Sequence, residues 1–127
     1  MTTTWASDCL RSPTACPVVT TGQALLAALA HLGARRVMLV DPPWFPADLT
    51  QRGTDWLKRN GVEASDAQAV DIPSGQATVH PGSLYRWLRS SIAPGTDAVL
   101  IGGNGFRAVG VIRAIEADTG VPVVTAN

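Results

Sequence analysis

The stretch Val99-Leu100-Ile101-Gly102-Gly103-Asn104-Gly105-Phe106-Arg107-Ala108-Val109-Gly110-Val111-Ile112 constrains the fold more than any other part of the chain. Its apolar start reads as a buried strand, its glycines as a tight turn, and its remainder as the first turns of a helix. A strand so short and so continuously apolar suits a parallel sheet covered on both faces. In open α/β sheets such strand-to-helix junctions are where ligands bind, because the first N–H groups of a helix have no partner within it.

The same alternation runs along the chain. Pro17-Val18-Val19 is a short apolar run, a strand or the stub of one. Thr20 and Thr21 offer hydroxyl caps to a helix over Gln23 to Leu32, whose leucines 25, 26, 29 and 32 share one face, and Gly33 ends it. Arg36 to Val40 is a second buried strand, stopped by Asp41-Pro42-Pro43-Trp44. Asp48 is placed to cap a helix from about Leu49 to Arg59, with Leu49, Trp56 and Leu57 inward. Glu63 to Ile72 predicts a strand and Pro73-Ser74-Gly75 a loop. Pro81 suits the first position of a helix buried through Leu84, Trp87, Leu88 and Ile92. The helix after the strand Ala98 to Ile101 runs to about Asp118, and Val121 to Thr125 is a last strand. The expected fold is therefore α/β, a flavodoxin-like parallel sheet with helices on both faces and right-handed crossovers. Residues 1–16 are polar and without period, an irregular segment before a single domain over 17–127.

Composition narrows the function. The 127 residues carry a formal net charge of zero and no basic run, which argues against nucleic acid. No apolar run reaches the roughly 18–20 residues of a membrane span, and the N-terminus has no signal-peptide pattern, so the expected location is cytoplasmic. Cys9 and Cys16 lack CxxC spacing and a neighbouring His cluster, so no metal is expected.

At the glycine turn, Asn104 is positioned to cap the helix and Arg107 falls in its first turn. A cation there opposes the helix dipole, which is intelligible if Arg107 meets an anion such as a substrate carboxylate; an exposed Arg beside a tight turn is the alternative. Gly103-Asn104-Gly105-Phe106-Arg107-Ala108 also matches G-x-G-x-x-G/A. A dinucleotide site, however, needs the first strand and an acidic residue about 20 positions on, where this chain has Thr125 and Asn127. Thr20 and Thr21 form a second junction that could bind a carboxylate, and Trp44, just past a strand end, could wall a pocket. His31, His80 and Tyr85 form no Ser/His/Asp or Cys/His constellation.

Three blocks together resemble the aspartate/glutamate racemase superfamily, in its maleate cis-trans isomerase and arylmalonate decarboxylase branch. They are Pro17-Val18-Val19-Thr20-Thr21-Gly22, Gly33-Ala34-Arg35-Arg36-Val37-Met38-Leu39-Val40-Asp41-Pro42, and Gly102–Ile112 running on to Pro122-Val123-Val124-Thr125-Ala126-Asn127. The resemblance is to the second half only. It implies one of two facing α/β domains with the site in the cleft between them, completed by a partner domain or a homo-oligomer. It further implies cysteines acting on small carboxylic acids, without cofactor or metal. That chemistry needs a poised thiol and N–H groups around the carboxylate.

The chain departs from the family pattern at specific places. The second cysteine of the family falls on Gly103, and its tyrosine after the strand falls on Pro43, with Trp44 next. Cys9 stands much nearer the Pro17 block than the family's first cysteine does. The resemblance implies substrate-binding roles for Thr20, Thr21, Trp44, Gly103, Asn104, Gly105 and Arg107, with Cys9 as the candidate catalytic thiol. The expected function is a racemase-, isomerase- or decarboxylase-like protein, similar to maleate isomerase, truncated or lacking the second cysteine. A non-catalytic carboxylate-binding protein is the alternative, and a nucleotide-binding module a third.

Overall fold

The computed structural model of the protein describes residues 17–72, 79–103 and 105–126. In chain order the elements are α1 (Thr21–His31), β1 (Arg36–Asp41), α2 (Ala47–Arg59), β2 (Glu63–Ala69), α3 (Pro81–Ser91), β3 (Ala98–Ile101), α4 (Val109–Thr119) and β4 (Val123–Thr125). The strands form one sheet in the order β2-β1-β3-β4, every pair parallel. That is the flavodoxin-like order as far as four strands carry it. Val37 pairs with Ala98 and Val99 with Val123, so the apolar strands β1 and β3 lie at the centre.

Strand alternation sends side chains to two separate cores. Met38, Val40, Val99, Ile101 and Val123 face α3 and α4, where they meet Leu84, Leu88, Val111 and Ile115. Val37, Leu39, Ala98 and Leu100 face the other way, against Leu29 of α1 and Leu57 of α2. Helices thus cover both faces, as the continuous apolar runs require. β2 is the exception: Glu-Ala-Ser-Asp-Ala-Gln-Ala is an edge strand, and none of its seven residues is buried.

Several boundaries differ from the sequence expectation. Residues 17–19 form no strand, and Val19 stands 68% exposed. Thr20 caps α1 through a reciprocal pair: its hydroxyl accepts the Gln23 N–H at 3.1 Å, and the Gln23 side chain accepts the Thr20 N–H at 2.8 Å. Asp48 does not cap α2. That helix starts earlier, with extended Pro46 as its cap residue, and Asp48 lies within the first turn. β2 stops at Ala69, although its bonding to β1 carries one step further through the Val70 N–H to the Asp41 carbonyl at 2.9 Å. Pro81 does open its helix. Residues 1–16 and the Pro73–Gly75 loop lie outside the described residues.

Candidate functional site

Because every strand is parallel, all four C-terminal ends share one edge of the sheet, and the loops leaving them meet there. The loop after β1 (Pro42 to Pro46) and the loop after β3 (Gly102 to Ala108) come from neighbouring strands and pack against one another. Ladder bonding continues past the strands, from the Gly102 N–H to the Val40 carbonyl at 2.9 Å.

The fit at this contact is tight. A Cβ on Gly102 would lie 2.7 Å from Oδ1 of Asp41, so only hydrogen fits there. Gly103 has φ +85°, the left-handed region that glycine alone enters freely. A Cβ on it would stand 2.8 Å from Pro42 Cδ, nearer still to Pro42 Cγ, and 3.2 Å from Phe45 Cζ. The direction a side chain at 103 would take is therefore filled by the Pro42 and Phe45 rings. Trp44 joins this contact from the same loop, edge-on to Phe106 with ring centroids 5.8 Å apart and planes at 75°. Phe106 itself is fully buried, a plug between the loop and the α3/α4 core.

That plug displaces the helix start. α4 begins at Val109 with Ala108 as its cap residue and no side-chain capping bond, so Arg107 precedes the helix and does not occupy its first turn. Asn104, the expected cap, lies outside the described residues. Arg107 is exposed and makes no ion pair among the described residues. It lines an open cleft of about 460 Å³ with Pro81, Gly105, Phe106, Ala108 and the start of α4. The described residues of the G-x-G-x-x-A match precede the helix and do not open it, unlike the dinucleotide fingerprint.

Thr20 and Thr21 line a different cleft, about 380 Å³, between the start of α1 and the Val124–Ala126 end of β4. The Ala126 N–H donates to the Ile101 carbonyl at 3.2 Å, which holds this cleft one strand from the glycine loop. Of the expected site residues, Gly105 and Arg107 thus line one cleft and Thr20 and Thr21 another, while Gly103 and Trp44 lie in the contact between the loops. Cys9 and Cys16 lie outside the described residues. Among the described residues no three His, Cys, Asp or Glu side chains converge as metal ligands, and no helix is long and apolar enough to cross a membrane.

One pair at this edge escaped the sequence reading. Asp41, the last residue of β1, is only 5% exposed, and Thr50 of α2 is 8% exposed. The Thr50 hydroxyl donates to Asp41 Oδ2 at 2.8 Å. Burial pushes the Asp41 carboxyl above the usual carboxylate range, and the Thr50 hydrogen bond pulls the other way. The available signal was an acidic residue closing an otherwise apolar strand. In sequence, that position looked like an ordinary exit into the Pro-Pro turn.

Known proteins share this architecture. The profile of a family described as arylmalonate decarboxylase matches residues 6–127. A maleate isomerase of Pseudomonas putida is 31% identical over 113 residues, 87% of this chain and 44% of its own length. Among solved structures, arylmalonate decarboxylase superposes with a TM-score of 0.83 at 25% identity, over 97% of this chain and 55% of that one. A second maleate isomerase of Pseudomonas putida superposes with a TM-score of 0.83 at 27% identity, covering 97% and 52%. The chain therefore spans about half the length of these relatives and matches one domain of a two-domain architecture.

Proposed function

From the premise that this chain belongs to the arylmalonate decarboxylase family, we propose that it is a domain of a cofactor-independent, isomerase- or decarboxylase-type protein for small carboxylic acids such as maleate. Its Gly102–Ala108 loop holds a substrate carboxylate. One observation carries this reading: Arg107, with no ion pair among the described residues, stands over an open cleft, immediately before a helix whose first N–H groups have no side-chain cap. Such a start offers N–H donors and a favourable dipole to an anion, and the guanidinium adds a bidentate partner. The names of the relatives, maleate isomerase and arylmalonate decarboxylase, support the substrate class.

Proton transfer at a substrate carbon needs an acid and a base on opposite sides of it. In this reading a partner domain or a second copy completes the cleft and supplies the thiol, since residue 103 is glycine and its side-chain direction is filled. The same observation favours a second reading, carboxylate binding without turnover.

The two readings separate in one experiment. Maleate, a set of arylmalonates and small amino acids are incubated with the protein and followed by NMR for isomerisation, decarboxylation and racemisation. Saturable shifts at residues 103–109 are expected, and Arg107→Ala should weaken binding by roughly tenfold or more, the scale of a hydrogen bond to a charged group. Turnover supports the enzyme; saturable binding without turnover supports the binding protein. Unaltered affinity in Arg107→Ala, or no saturable binding, would sink the carboxylate site.

A further inference from the structure

Asp41 takes no part in holding the carboxylate, yet it is the one ionisable side chain buried among the described residues. Leaving a carboxyl group in such a place is unfavourable unless its neighbours give it work or a partner. Among the described residues its side-chain partner is Thr50, which fixes its rotamer by bonding Oδ2. Its other oxygen is turned to the glycine loop, so close to Gly102 that a Cβ there would stand 2.7 Å from Oδ1. The main chain around it is equally tied: its carbonyl accepts the Val70 N–H at 2.9 Å, and the carbonyl of Val40 accepts the Gly102 N–H at 2.9 Å. The carboxyl group is therefore held rigidly against the backbone that leads into Gly103 and Arg107.

We propose that Asp41 is a positioning residue of the Gly102–Ala108 loop, and that its protonation state sets how strongly the loop binds an anion. The affinity half of this inference rests on the carboxylate reading of the loop. A neutral Asp41 leaves the loop's N–H donors and Arg107 unopposed. An ionised Asp41 places a negative charge against the Gly102 backbone at the root of the loop, in protein rather than in water, where like charges repel most.

Among the described residues no charged side chain bonds or pairs with Asp41. The groups packed on Asp41 are the Thr50 hydroxyl from α2, the Gly102 backbone and the Val70 backbone, all neutral. Of the charged residues on those segments, Asp48 and Arg52 are exposed and lie 4.0 Å from one another, and Asp71 is exposed. Burial is the larger influence on the carboxyl and favours its neutral form, with the Thr50 bond opposing it. The carboxyl therefore titrates above a surface aspartate.

The test needs the ligand-free protein and one simple anion. The carboxyl carbon of Asp41 and the amides of Gly102 and Gly103 are followed by NMR across pH 4 to 9. They should titrate with a common midpoint above the ordinary range, and the amide response should vanish in Asp41→Asn. Thr50→Val, which removes the opposing hydrogen bond, should move the midpoint upward; it serves equally if Asp41→Asn does not fold. Phenylacetate, ionised through the upper part of the range, is then titrated on either side of the midpoint. Its affinity should fall by roughly tenfold as Asp41 ionises, and should stay level in Asp41→Asn. Loop amides that ignore the carboxyl, or a phenylacetate profile equally steep in Asp41→Asn, overturn the proposal. Amides that follow Asp41 while phenylacetate binds at no pH overturn the carboxylate reading and the affinity half resting on it, and support the positioning role alone.

Discussion

Gly103 shows how much a single residue can decide at the edge of this sheet. Its left-handed backbone and the Pro42 ring beside it are independent obstacles to a side chain. Either alone costs about 1–3 kcal/mol where the surroundings cannot relax. Gly103→Ala should therefore lower stability by at least about 2 kcal/mol in urea unfolding. Gly103→Ala combined with Pro42→Ala should recover the steric part and leave only the backbone strain. Equal losses in the single and double variants would show that the ring is not the obstacle. Any side chain at 103 would need both a different backbone and a smaller residue at 42, so the glycine is held by two loops.

At the scale of elements, the starts of β1 and β3 are clamped by Asp97. Its carboxylate oxygen Oδ2 accepts the N–H groups of Arg35 at 3.0 Å and Arg36 at 2.9 Å, while its own N–H donates to the Arg36 carbonyl at 2.8 Å. The bonds from Arg36 and then Arg35 hold the carboxyl below its ordinary value of 3.8. A carboxyl that is more acidic in the folded state stabilises that state above its ordinary value, and the contribution is lost as pH falls through the lowered one. Urea midpoints measured from pH 2 to 6 should accordingly fall less steeply on acidification in Asp97→Ala than in the parent, and parallel curves would refute the clamp. Elements of this kind were unevenly legible in the sequence. β1 and β3 announced themselves because both faces are buried and the run is apolar throughout. β2 blurred because an edge strand with half-open faces has no strong period, so its end was placed past Ala69. The start of α4 was misplaced because Phe106 leaves the loop for the core, a tertiary demand that overrides local capping signals. At the site, the Thr20–Gln23 capping pair was half visible, since both partners lie within one turn. Asp41–Thr50 and Pro42–Gly103 were not, because each joins different elements and neither partner is unusual alone.

Across the whole molecule, two cores on opposite faces of one sheet share the work of holding the functional edge. Phe106 ties that edge to the α3/α4 core, and it is fully buried against Trp44. Phe106→Ala should cost about 3–5 kcal/mol, a large part of the roughly 5–15 kcal/mol typical of a domain. It should also alter Trp44 fluorescence and blunt carboxylate binding, whereas Leu57→Ala in the other core should lose stability with a smaller effect on the loop. Comparable effects of the two on ligand affinity would contradict this division. β2 adds no fully buried residue to either core, only Ala64 and Ala67 packed against the α1/α2 side, and its composition then takes on another meaning. An open strand edge is a template on which a second chain can add, and long apolar edges seed insoluble assemblies. Glu63, Ser65, Asp66 and Gln68, interleaved with alanines, make a poor template. They deny stray strands both a greasy surface and charge neutrality, so the residues that weakened β2 as a sequence signal also guard the protein against aggregation.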